Sequence, residues 1–201
     1  PEPSSEVSMY QTAYPVPDRL PREVVPGLFW LGGCSNSGAW PTRRGVATTH
    51  EHLSCYLVVG SEKTLLVDTG HYAQWEQVAR QLDACLDGRA LDYVFPTHQE
   101  IPHAGNLGRL LDRHPEAVAV GDTREYHLYF PEVAPERLVR KHDGDSVPLG
   151  DAEFVFLDPV WYDLSGSMWG YDTARGALFS ADGLGYVHDH SPEVCGLLPH
   201  E

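Results

Sequence analysis

The segment His98-Gln99-Glu100-Ile101-Pro102-His103 constrains this chain more than any other. It follows directly on a short apolar stretch, Leu91-Asp92-Tyr93-Val94-Phe95, and it precedes a helical pattern. Loops that leave the carboxyl end of a strand and open into a helix are where α/β folds build their sites. A His-x-Glu-x-x-His spacing lets two imidazoles and a carboxylate converge from one turn. That donor set suits zinc, iron or manganese. The same residues also make an ordinary polar loop that caps a helix, so the spacing alone leaves both readings open.

The surrounding pattern says what kind of scaffold carries the loop. Leu53 to Val59 reads as a buried strand, Gly60-Ser61-Glu62-Lys63 as a turn, and Thr64 to Asp68 as the returning strand of a hairpin. Trp75, Val78, Ala79, Leu82, Cys85 and Leu86 recur on one face of a 3.6-residue period, which predicts a helix ended by Gly88. Ala104 to Arg113 predicts a second helix, with Leu107, Leu110 and Leu111 inward and a stop at His114-Pro115. A strand over Ala117 to Val120 and a partly helical stretch, 123–142, come next. Short strands follow at 146–149, 153–157, 167–172 and 177–180. Upstream, residues 1–26 hold six prolines and read as an extended arm over the surface. Gly27 to Leu31 reads as a strand, and the Gly/Ser/Asn-rich stretch to residue 49 as a loop. Strands, then βα units, then strands again predict an α/β fold. Two mixed sheets pack face to face with helices outside, an αββα sandwich, as one domain over 27–201.

Charge narrows the partners. Fourteen basic against 29 acidic residues give a formal net charge of −15, which repels nucleic-acid phosphates and anionic membrane surfaces. No apolar run approaches the roughly 20 residues of a membrane-spanning helix, and the first residues carry no signal-peptide pattern. The four cysteines form no C-x-x-C pair, and Cys55 and Cys85 sit in apolar segments as buried thiols. A reducing, cytoplasmic setting is expected.

Other candidates lie downstream. Asp182 ends the apolar strand Ala177-Leu178-Phe179-Ser180 and precedes Gly183-Leu184-Gly185, where an acid either reaches into a cleft or forms a simple turn. Asp163, in Val160-Trp161-Tyr162-Asp163-Leu164-Ser165-Gly166-Ser167, carries the same two readings. His188 and His190, in a polar loop, and His50 and His52, before a strand, are further candidates with surface histidine as the alternative. Trp161 and Trp169 are expected either to wall an apolar substrate pocket or to belong to the core.

Two runs carry a resemblance. Cys55 to Gly60 with Thr64-Leu65-Leu66-Val67-Asp68-Thr69-Gly70 resembles the first hairpin of metallo-β-lactamase-fold proteins. Phe95-Pro96-Thr97-His98-Gln99-Glu100-Ile101-Pro102-His103-Ala104-Gly105-Asn106 resembles their metal loop, usually His-x-His-x-Asp-His. Glutamate at the second ligand position, with Ser167-Met168-Trp169-Gly170-Tyr171 and Leu178 to Gly185, is similar to the flavodiiron and oxygen-binding di-iron branch. The resemblance spans roughly residues 27–190 and implies metal ligands at His98, Glu100, His103 and Asp182, with Asp182 as the bridging carboxylate. Two positions depart from it. Pro102 stands where the family has an acid, and Asp163 where it has its third histidine. The final family histidine is either missing or supplied by His188 or His190. One site, His98 with Glu100, Asp163 and Asp182, is complete and oxygen-rich, which shifts preference from zinc towards iron or manganese. The other keeps His103 and Asp182.

The expected function is that of a non-haem iron protein with one or two ions, binding or activating oxygen, with Glu100 and Asp182 at the reacting centre. Its electrons would come from a separate donor, and the di-iron relatives imply a homodimer. A zinc or manganese hydrolase of an ester, thioester or lactone is the alternative, since a bound metal lowers the pKa of its water. A sensor or binding scaffold with a degenerate site is the second alternative.

Overall fold

Leu57, Val58, Leu65 and Leu66 are fully buried although they alternate across two adjacent strands, so both faces of that hairpin lie inside the protein. This is the signature of a sheet covered on both sides. The structure is a computed structural model that describes residues 19–42 and 45–184, and their side chains apart from those of residues 34–51.

In chain order, β1 (Arg22–Val25), β2 (Leu28–Thr42), β3 (Gly45–Val59) and β4 (Thr64–Val67) pair antiparallel. Helix α1 (Trp75–Leu86) leads to β5 (Tyr93–Phe95), and α2 (Ile101–Ala104) with α3 (Leu107–Arg113) leads to β6 (Val118–Gly121). Helix α4 (Tyr126–Tyr129) precedes β7 (Leu138–Arg140). From β4 to β7 the pairing is parallel. Among the described residues these strands form a seven-stranded mixed sheet in sequence order. The strands β8 (Ser146–Pro148), β9 (Glu153–Leu157), β10 (Trp169–Asp172) and β11 (Ala177–Phe179) form a second sheet of four, ordered β11-β10-β9-β8.

Two cores lie on the two faces of the larger sheet. On one face Leu57, Leu66 and Val94 meet Val78 and Leu82 of α1 and Leu107, Leu110 and Leu111 of α3. On the other, Val58, Leu65 and Phe95 meet Phe154, Phe156 and Phe179 of the second sheet. The Phe95 ring packs edge-on against Phe154 and Phe156, with centroids 5.6 and 5.1 Å apart. Each such buried phenylalanine contributes about 1.5–3 kcal/mol. The helices, the large sheet and the small sheet are therefore stacked layers of an α/β sandwich, as the alternation of elements predicts.

Several local expectations are corrected. The Gly/Ser/Asn-rich stretch read as a loop is strand, and β2 and β3 form a long ladder from Leu28↔Val58 to Thr42↔Gly45, irregular between Asn36 and Ala39. Small polar residues weaken strand propensity, but each strand is the other's backbone partner, and ladder hydrogen bonds need no apolar side chain. Residues 22–25, expected in the arm, pair with β2 as the edge strand, whereas residues 1–18 lie outside the described residues. The single helix expected over 104–113 is two pieces broken near Asn106. That side-chain amide donates instead to the carbonyls of Thr69, Gly70 and His71. Helix α1 ends on Asp87 in the left-handed region, one residue before Gly88. Cys55 is fully buried, but Cys85 only half so. No helix of the described residues is long and apolar enough to cross a membrane.

This topology gathers strand ends. The parallel strands β4, β5 and β6 finish at one edge, carrying Asp68, His98 and Asp122 just beyond them. Strands β9 and β11 both run antiparallel to β10, so they finish together, with Asp163 and Asp182 in the segments that follow. The Met168 N–H donates to the Thr97 carbonyl at 2.8 Å and joins the two sheets at that edge.

Candidate metal centre

The centre is built outward from His98, whose side chain is fully buried while the acids around it are half-exposed. Its Nε2 faces Glu100 Oε2 at 3.8 Å, Asp163 Oδ2 at 3.6 Å and Asp182 Oδ2 at 3.8 Å. None of these is a hydrogen bond, and Nε2 is left as a buried polar atom with no partner. Donors of His98, Glu100, Asp163 and Asp182 all lie within 4.8 Å of one another, as do those of His98, His103 and Asp182. A buried nitrogen without a partner, aimed at three carboxylates, is what an ion-binding cage looks like before the ion is counted. The donor set therefore fits a hard or borderline metal ion.

His103 is held differently. Its Nδ1 lies 2.9 Å from Asp68 Oδ2, and its Nε2 lies 3.4 Å from Asp182 Oδ1. Asp68 also accepts the Thr97 N–H at 2.7 Å and the Thr97 hydroxyl at 2.9 Å. Asp68 itself is buried and adopts a left-handed backbone, φ 59, which aims its carboxylate back under the loop. Such carboxylate-histidine pairs fix ring orientation and raise ligand basicity. Burial pulls His103 down, but Asp68 and Asp182 outweigh it and push it up to about 10. Burial, and then the charge of His103, hold His98 below its ordinary value against the pull of Asp68, Asp182 and Asp163. The hydrogen bond from His103 holds the Asp182 carboxyl below its ordinary value. His98 is thus biased towards its neutral form, with Nε2 on the side of the acids. The two imidazoles lie ring against ring, with centroids 3.9 Å apart.

Two glycines set how closely the loops approach. A Cβ at Gly166 would come within 2.7 Å of Gln99 Oε1, so the Asp163 loop lies directly against the Gln99 side chain of the histidine loop. A Cβ at Gly183 would come within 2.8 Å of the Trp169 indole, so the Asp182 turn rests directly on that ring. Arg124 ties the Asp163 loop down by donating to the Ser165 carbonyl at 2.7 Å, and it pairs with Asp122.

The structure therefore brings His98, Glu100, His103, Asp163 and Asp182 together. Trp169 is buried behind Asp182. Trp161, 60% exposed, stands beside it with ring centroids 6.5 Å apart. His52 is not among the gathered donors; its Nδ1 lies 3.0 Å from Ser54 Oγ and its ring packs on Trp30. His188, His190 and the His50 side chain lie outside the described residues. Sequence reasoning missed Asp68, Thr97 and Asn106 as supports of the site. Their signal was present in Asp68-Thr69-Gly70 and Asn106, but their role depends on contacts between segments about 30 residues apart.

Comparison with known proteins identifies the family and the fold. The family model of the metallo-beta-lactamase superfamily matches residues 49–189, and the chain belongs to that superfamily. Within it, the chain is 27% identical over 177 residues to the coenzyme F420H(2) oxidase of Methanocaldococcus jannaschii, covering 81% of this chain and 40% of the relative. It is 26% identical over 174 residues to the nitric oxide reductase of Moorella thermoacetica, covering 82% and 42%. In structure it is similar to the flavodiiron protein from Giardia intestinalis, with a TM-score of 0.63 and 21% identity over 84% of this chain and 42% of that one. It is also similar to the rubredoxin oxygen:oxidoreductase of Desulfovibrio gigas, with a TM-score of 0.64 and 19% identity over 78% and 39%. These two structures share the fold. The chain spans about two-fifths of the length of the curated relatives it matches.

Proposed function

We infer that this domain is a non-haem iron centre for redox chemistry on oxygen or a comparably small diatomic molecule, supplied with electrons by a separate donor. The observation that carries the reading is the buried, partnerless His98 Nε2 turned towards three carboxylates. An oxygen-rich set of this kind favours iron or manganese over zinc. The relatives named for F420H(2) oxidation and nitric oxide reduction support the redox assignment over hydrolysis.

His98, Glu100, Asp163 and Asp182 would hold the iron, with His103 beside Asp182. Iron bound there supplies one-electron redox chemistry. The protein's own residues do the rest. Asp68 and Thr97 fix the His103 ring. His103, with a proton shared towards Asp182, is placed to hold a proton at the edge of the pocket. Half-exposed Glu100, Asp163 and Asp182 leave the mouth open to a small molecule, and Trp161 and Trp169 wall one side of it.

The rim supports a partner. Ile101 next to Glu100, Trp161 and Tyr162 before Asp163, and Leu184 after Asp182 are all at least half exposed. Apolar side chains grouped around a site mark a contact surface. We assign it to the electron donor or to a second copy of the chain, in a cytoplasmic setting. The test is oxygen uptake by iron-loaded protein with a chemical reductant, against iron-free and zinc-loaded protein. Uptake with iron alone supports the reading. Equal rates in all three would sink it.

A further inference from the structure

We propose that the pocket takes one ion tightly, on His98, Glu100, Asp163 and Asp182, that Pro102 limits the count to one, and that Asp163 sets the preference for a highly charged ion. The identity of the ion rests on the iron reading above. The count and the ligand set stand on the donors alone.

Four donors converge on one side. His98 Nε2 lies 3.6–3.8 Å from a carboxylate oxygen of each acid. Donors that share one ion at about 2.1 Å sit roughly 3–4 Å apart, so these distances match a shared ion better than a hydrogen bond. The Asp163 loop is anchored at three points. The Leu164 N–H donates to Ser167 Oγ at 2.9 Å, Arg124 holds the Ser165 carbonyl, and the Met168 N–H holds the Thr97 carbonyl. Asp163 is therefore placed by the fold rather than by chance proximity.

The other side is short of donors. Proline at position 102 has no side-chain donor, and among the described residues His103 and Asp182 remain. Both His103 ring nitrogens already face carboxylates, at 2.9 Å and 3.4 Å. Tight protein sites for such ions use three or more protein ligands.

Charge gives the second half of the proposal. Three carboxylates and one neutral imidazole carry three negative charges. A divalent ion leaves one uncompensated, and a trivalent ion cancels them against a half-buried surface. A histidine in place of Asp163 would remove one of those charges and add a softer donor.

The test loads the full chain, stripped with a chelator, with ferrous ion and then air. Metal is measured against protein after desalting. The expected result is about one iron per chain. Asp163→Asn lowers retained iron by about tenfold or more, and Asp163→His shifts an equimolar iron/zinc competition at least about tenfold towards zinc. Two irons in the native chain would overturn the count, including the case where the second is lost on changing His188 and His190. Full iron retention by a folded Asp163→Asn chain, checked by circular dichroism, would overturn the ligand set. The native count needs no variant and stands if a variant does not fold. One ion without oxygen uptake sinks the oxygen reading and leaves this inference standing; two ions with uptake do the reverse.

Discussion

His98 and His103 sit on one loop with their rings in contact, yet the fold treats them as opposites. His98 is sealed at the base, with its Nε2 lacking a partner and facing three acids. His103 is partly open and tied at both nitrogens, to Asp68 and to Asp182. Four residues separate them in sequence, so the loop alone cannot account for the difference. It comes from what other segments deliver: Asp163 to one ring and Asp68 to the other. The comparison teaches that a two-histidine motif specifies a place, and the carboxylates around it specify what each histidine does.

The sharpest way to break this comparison is to exchange the roles. His98→Ala should abolish tight metal binding, a fall of about a hundredfold or more, because it removes the buried base of the cage. His103→Ala should lower affinity by about tenfold. Equal losses in isothermal titration would mean that the two rings are equivalent. Pro102→Asp sharpens the contrast from the other side. It supplies the missing acid beside His103, and the metal content should rise from about one to about two per chain. Asp68→Ala comes next. It leaves the Thr97 N–H and the His103 Nδ1 without their acceptor, at about 1–3 kcal/mol of stability measured by urea unfolding of metal-free protein. Thr97→Val removes one hydroxyl donor to Asp68 and should cost about 1 kcal/mol in the same assay.

The pH dependence of the metal-free protein follows from the same pair. His103 is pushed up to about 10 from an ordinary value of 6.5. A raised folded value means that the folded state holds the proton more tightly than the unfolded chain. The stability this contributes is fully present below 6.5 and is lost as pH rises towards about 10. The urea midpoint should fall across that window, and His103→Gln should flatten the fall. A midpoint that rises from neutral to alkaline pH would contradict the pairing with Asp68 and Asp182.

How much of this was legible in the sequence follows from what kind of force placed each residue. His98, Glu100 and His103 are local, spaced on one turn after an apolar strand, and their spacing was readable. Asp163 and Asp182 were readable as acids at strand ends, but each kept a turn as its alternative until β9 and β11 were seen to finish together. The layered sandwich followed from the alternation of strands and helices. Asp68 was hidden because its role needs a left-handed residue at the end of β4 and a partner 35 positions away. Asn106 was hidden because its helix-breaking contacts reach back to residues 69–71. The β2–β3 ladder was hidden because Gly, Ser and Asn in a row read as loop, and only the opposing strand shows otherwise.

The central claim concerns the neighbourhood of one metal ion, and X-ray absorption of the iron-loaded chain reads that neighbourhood directly. The account predicts an oxygen-dominated shell with scattering from one imidazole and no second metal. A metal–metal vector at about 3.5 Å, the spacing of paired-metal sites, or a shell dominated by nitrogen would contradict it.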